Sequence, residues 1–234
     1  MNDENSLIEE NALVFIKTHK KEVLERFCSP PVCHPVTNPI SLFMAGSPGA
    51  GKTEVSKSLI KKFKNIPVRI DADEIRVICP GYTGTNAHLF QKAANKGVNL
   101  LYDHALHNNI NCIMDSTFAY GGASKNIERS LKYSRKVEIW FVYQDPVRAW
   151  EFTKAREARE ARRVSKDVFI KTFFEARNNA RAVKERFGSD IELNILVKDY
   201  EAGDEELYLN VQASELDRIV YSRYSEEELN SKLL

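Results

Sequence analysis

Gly46-Ser47-Pro48-Gly49-Ala50-Gly51-Lys52-Thr53 fits the pattern G-x-x-x-x-G-K-[ST], and its flanks restrict the folds that can carry it. Before it runs Ile40-Ser41-Leu42-Phe43-Met44-Ala45, apolar and of strand length. After it, apolar residues at 55, 59, 60 and 63 repeat at helical spacing. Strand, glycine loop and helix form the setting in which this pattern cradles phosphate. Gly46, Gly49 and Gly51 admit backbone conformations that turn successive N–H groups inward onto phosphate oxygens, and the helix N-terminus adds to that field. Ser47, Pro48 and Ala50 complete the loop. Lys52 is placed to reach the β- and γ-phosphates of a nucleotide, and the Thr53 hydroxyl to ligate Mg²⁺.

The rest of the chain supplies a matching frame. Strand patterns at 67–71, 112–115, 137–143, 192–200 and 207–211 alternate with helical ones at 87–107, 127–131, 146–163 and from Ser165 to a stop at Gly188. This predicts an α/β, P-loop NTPase or kinase-like fold, with a mostly parallel central sheet and helices on both faces. Ser225-Glu226-Glu227-Glu228 reads as a capping box opening a terminal helix. Ahead of the core, residues 4–27 pattern as one amphipathic helix, and four prolines between Ser29 and Pro39 rule out regular structure there. The expected organisation is an N-terminal helical appendage and proline-rich linker over 1–39, then a kinase domain over 40–234 with an arginine-rich lid near 146–187. The appendage is placed to act as a cover over the nucleotide site.

Composition excludes some partners. With 34 basic and 33 acidic side chains the net charge is +1, giving no general pull toward nucleic acid or an anionic membrane. No apolar run approaches the roughly 20 residues that cross a bilayer, so a cytoplasmic protein is expected. Cys28, Cys33, Cys79 and Cys112 offer too few clustered ligands for zinc and are expected to be free thiols.

Three further stretches carry chemistry. Asp71 and Asp73 follow the second strand, where ligands of parallel sheets bind, and a carboxylate there can accept a proton from an attacking hydroxyl. Asp115 ends the third strand; it can hold Mg²⁺ through water or bind a sugar hydroxyl, and a turn-forming role is the plain alternative. The helix over 148–163 carries Arg148, Lys154, Arg156, Arg159, Arg162 and Arg163. Phosphoryl transfer needs cations beyond the P-loop lysine, and Arg156 and Arg163 are the first choices, ahead of Arg159 and Arg162.

Together with Ile70-Asp71-Ala72-Asp73-Glu74-Ile75-Arg76, Pro80-Gly81-Tyr82 and Ile113-Met114-Asp115-Ser116-Thr117, the P-loop and arginine segment resemble the zeta toxin family of P-loop kinases over about 40–200. The resemblance implies an ATP- and Mg²⁺-dependent kinase that phosphorylates the 3′-hydroxyl of UDP-N-acetylglucosamine, blocks cell-wall synthesis and is restrained by an antitoxin. It assigns Lys52 and Thr53 to the nucleotide, Asp73 to the catalytic base, Asp115 and Thr117 to substrate, and Arg156 and Arg163 to phosphates. There are departures. The family's glutamate at the end of the third strand is here Asp115, its following arginine is replaced around Phe118-Ala119, and a substrate-binding glutamate falls at Asn99. Other acceptors therefore stay open: another nucleotide sugar, a dinucleotide, a small-molecule drug or a polynucleotide 5′-end. So does a regulatory NTPase, although Val197-Lys198-Asp199 lacks the asparagine of a guanine signature.

Overall fold

The computed structural model describes residues 2–29, 33–160, 163–199, 203–221 and 223–233. Five parallel strands, β1 (Ile40–Ala45), β2 (Val68–Ile70), β3 (Cys112–Met114), β4 (Lys136–Gln144) and β5 (Glu192–Asp199), are joined by β6 (Asp204–Tyr208). The order across the sheet is β2-β3-β1-β4-β5-β6, and β6 runs antiparallel to β5. The helices are α1 (Asn2–Thr18), α2 (Lys20–Phe27), α3 (Lys52–Ile60), α4 (Ala72–Val77), α5 (Gln91–His107), α6 (Ala123–Lys132), α7 (Pro146–Glu160), α8 (Lys166–Phe187), α9 (Ala213–Ile219) and α10 (Glu226–Lys232).

Central strands of a parallel sheet are buried on both faces, and β1 shows how one apolar run serves both. Phe43 and Ala45 enter the main core with α5, α6 and α8, while Leu42 and Met44 join Val55 and Leu59 of α3 on the other face. β4 divides likewise, with Val137, Ile139 and Phe141 on the first side and Val142 on the second. A third cluster holds α7, α8 and α10 together through Ala149, Trp150, Phe169, Phe173, Leu229 and Leu233.

Several expectations need amending. Residues 4–27 form two helices, because the Thr18 hydroxyl donates back to Val14 O at 2.8 Å and His19 leaves helical geometry. Both helices pack inward: Ala12, Ile16 and Val23 are part of the main core, and Lys92 of α5 pairs with Glu9 at 2.8 Å. The helix expected over 146–163 ends at Glu160 among the described residues; Arg162 lies outside them, as do Tyr200 and part of the proline-rich linker. The last strand falls at 204–208 rather than 207–211, since its first three residues are acidic and carry no apolar signal. The helix α9, with Leu216 buried, gave no legible pattern.

The free-thiol expectation is corrected for one pair. Cys28 and Cys33 form a disulfide, because the chain beyond Phe27 bends and sets their Cα atoms 5.3 Å apart, within bonding range. Cys79 and Cys112 are free and buried. Among the described residues no helix is long and apolar enough to cross a membrane.

Candidate active site

The P-loop leaves β1 pressed against β4. Gly46 has φ +128°, and a Cβ there would lie 2.2 Å from the carbonyl oxygen of Val142. Its N–H donates to Thr117 O at 3.1 Å, which ties the loop to the segment beyond β3. Gly49, at φ +74°, abuts α7: a Cβ would meet Ala149 O at 2.0 Å and Thr153 Oγ1 at 2.7 Å. Gly51, also left-handed, opens α3, so the N-terminal N–H groups of that helix point toward the site. Lys52 Nζ donates to Ser47 O at 2.7 Å, arching over the loop it serves.

Facing the loop are the ends of β2 and β3. Asp71 caps α4, its Oδ1 accepting from Asp73 N at 2.8 Å. Asp73 pairs with Arg76, whose Nη2 donates to Gln91 at 2.6 Å, and Arg156 comes within 3.8 Å of Asp73 Oδ2. Burial lowers the pKa of Arg76, and its Nε–H finds no acceptor among the described residues. Asp115 is only 5% exposed; its Oδ2 accepts from Ser56 Oγ at 2.8 Å and from Arg69 Nε and Nη2 at 2.9 and 2.7 Å.

The third wall is α7. Asp145 caps it by accepting from Val147 N at 2.9 Å, and Pro146 occupies the first turn, where a missing N–H is harmless. Phe152, Ala155, Arg156 and Arg159 recur at helical spacing and face the loop. The three walls enclose a cavity of about 670 Å³, within the usual range for a small-molecule site.

Of the residues expected from sequence, Pro48, Gly49, Gly51, Lys52, Thr53, Asp71, Asp73, Asp115, Thr117 and Arg156 all line this cavity, as does Arg159. Gly46, Ser47 and Ala50 form the loop beneath. Asn99 does not line it; it is exposed on α5 and donates to Asn95 O at 2.9 Å. Arg163 is exposed and lies 3.8 Å from Glu157. No residue before Pro48 reaches the cavity among the described residues, so α1 and α2 are not its cover. Arg69, Arg76 and Ser56 escaped the sequence reading. An arginine inside an otherwise apolar strand, two residues before Asp71, was the available signal.

No cluster of His, Cys, Asp or Glu among the described residues could enclose a metal on its own. Thr53 and Asp115 are instead hard oxygen donors beside a phosphate cradle. That donor set fits Mg²⁺, which commonly takes one or two protein ligands and completes its shell with phosphates and water.

A family model described as Zeta toxin matches residues 26–212. Among solved structures, the chain is similar to the one described as the PezAT chromosomal toxin-antitoxin system of the human pathogen Streptococcus pneumoniae. There the identity is 17%, the coverage 93% of each chain and the TM-score 0.71. It is also similar to the AvrRxo1-ORF1:-ORF2 complex, at 14% identity, covering 99% of this chain and 79% of that one, with a TM-score of 0.61. A form of that complex with sulphate ions gives 15% identity, coverage of 94% and 72%, and a TM-score of 0.61. At these identities the likeness is one of fold. No curated protein matches in sequence.

Proposed function

The chain belongs to the zeta toxin family, whose members are kinases, and from that premise we propose that it moves the γ-phosphate of ATP to the 3′-hydroxyl of UDP-N-acetylglucosamine. The observation that carries the reading is the placing of Asp73 and Arg156 across one cavity from Lys52 and Thr53. In this reading the P-loop amides and Lys52 hold the β- and γ-phosphates. Asp73 accepts the proton as the acceptor oxygen bonds to the γ-phosphorus and the bond to the β–γ bridging oxygen breaks. Arg156 stabilises the charge gathering on the transferred group, with Arg159 beside it. The Thr53 hydroxyl and the Asp115 carboxylate would hold Mg²⁺, which would supply charge neutralisation at the phosphates. Asp71 and Thr117 flank the acceptor.

A second reading keeps the chemistry and changes the acceptor. It is favoured by Asn99, which replaces an acidic substrate ligand in the resemblance and stands outside the cavity. Another nucleotide sugar or small hydroxyl compound would then receive the phosphate. An antitoxin protein as partner, a toxic outcome, cytoplasmic action and the division into a 1–39 appendage and a 40–234 kinase domain belong to the same proposal.

Labelled ATP offered with UDP-N-acetylglucosamine, other nucleotide sugars and water separates the possibilities. Label on the first acceptor supports the primary reading and label on another supports the second. Free phosphate alone would replace both with a hydrolase. Asp73→Asn should lower transfer by about 10²–10⁴-fold while ATP still binds. Unreduced transfer would remove Asp73 as the base.

A further inference from the structure

Arg69 is the middle residue of β2. Strand alternation directs Val68 and Ile70 into the main core and Arg69 to the opposite face. Its side chain is 12% exposed and reaches carboxylates on three segments. Nε and Nη2 donate to Asp115 beyond β3, Nη2 donates also to Asp71 beyond β2 at 2.7 Å, and Nη1 pairs with Glu74 in α4. Burial opposes the positive charge, but Asp115, Asp71 and Glu74 outweigh it and raise the pKa.

Two of these carboxylates pass the geometry on. The second oxygen of Asp71 accepts from the backbone N–H of Asp73 at 2.8 Å, so the position of Asp71 sets that of the first turn of α4. Asp115 Oδ2 accepts from Ser56, one turn along α3 from Lys52. A continuous path thus runs from the helix carrying Lys52 and Thr53, through Ser56, Asp115, Arg69 and Asp71, to Asp73. A guanidinium suits the junction, because its rigid fork of donors addresses several oxygens at once and an ammonium does not.

We propose that Arg69 is the positioning residue of this site: by clamping Asp71 and Asp115 together it holds Asp73 at a fixed station relative to the P-loop. The inference rests on the assignment of Asp73 as base. Without the clamp, Asp71, Glu74 and Asp115 crowd one another as like charges, and the cap that sets Asp73 loses the guanidinium that fixes its other oxygen. The P-loop and Lys52 lie on the other side of Ser56 and keep their own bonds, so transfer suffers while binding of metal-free ATP does not.

The test uses the full chain and three variants: Arg69→Met, Arg69→Lys and Arg69→Met with Asp115→Asn. Backbone hydrogen exchange over residues 72–77 needs no acceptor. It should quicken by about tenfold or more in Arg69→Met, as expected when an amide loses its cap. Calorimetry without divalent metal should find the ATP dissociation constant within about threefold of wild type, while kcat with UDP-N-acetylglucosamine falls by about 30-fold or more. Arg69→Lys should recover thermal stability yet leave kcat about tenfold down, since charge alone does not restore the fork. The double variant removes the uncompensated buried carboxylate and should recover stability. Unchanged exchange over 72–77, parallel loss of metal-free ATP affinity and kcat, or full recovery of kcat by lysine would each overturn the proposal. A wild-type enzyme inert toward UDP-N-acetylglucosamine would sink the acceptor assignment instead, while the exchange and calorimetry still decide the role of Arg69.

Discussion

Gly49→Ala is the sharpest probe of how the phosphate loop depends on the helix behind it. An added Cβ would fall 2.0 Å from Ala149 O and 2.7 Å from Thr153 Oγ1, where real Cβ contacts stay beyond 3.0 Å. The nearer obstacle is backbone in the first turn of a helix, so the loop itself must retreat by about 1 Å, a displacement able to cost about 10²-fold in rate. A left-handed φ adds about 1–2 kcal/mol for a residue with a side chain, and the crowding about as much again. The expected sum is about 3 kcal/mol, or roughly 6–12 °C in melting temperature for a chain of this size. Thermal melts with and without excess MgATP, together with transfer kinetics, measure both parts. Gly121→Ala is the control, since nothing lies within 4 Å of a Cβ there. A Gly49→Ala protein that melts within about 2 °C of wild type and transfers within about twofold would refute the argued dependence of the loop on α7.

Three more outcomes are expected. Arg135, 3% exposed, donates to the carbonyls of Ile40, Ala105 and Ile110 and to Ser41 Oγ. Arg135→Met strands those acceptors and should cost about 3–5 kcal/mol in urea unfolding, and a loss below about 1 kcal/mol would show them satisfied otherwise. Burial pushes the Cys79 thiol from about 9 up to about 11, although Arg76 pulls the other way. The native state thus holds that proton more tightly than the unfolded chain. The stability this contributes is full below about pH 9 and disappears as pH climbs through 11. Cys79→Ala should therefore lose less stability than wild type over that interval, as melts across it will show. Reduction of Cys28–Cys33 opens a short loop closed at a separation of 5 and should lower stability by roughly 2 kcal/mol, read as a fall in melting temperature on adding a thiol reductant.

Much of this architecture was legible because its signals are local. Strand, glycine loop and helix around Lys52 follow from period and residue type, and so do β1, β4, the Ser165 cap and the Gly188 stop. Asp71, Asp73 and Asp115 reached the cavity because the ends of parallel strands share one edge. What failed to show in the sequence depends on partners far along the chain. Arg69 looks like a solvated residue of a short strand until Asp115, 46 residues away, comes under it. Arg135 reads as an ordinary surface residue after a helix, and its acceptors lie 25–95 residues earlier. The disulfide was hidden because two cysteines five apart in a proline-rich stretch say nothing about how the chain turns between them. The break at His19 turns on one threonine hydroxyl competing for a carbonyl, a contest the apolar period cannot report.

The margins of the sheet bear on what can bind this chain. β2 offers three residues, and β6 opens with Asp204, Glu205 and Glu206. A brief margin and an acidic one both discourage a foreign strand from adding to the row, because the first has little to pair with and the second repels its own kind. Neither margin is therefore suited to pairing two copies strand to strand.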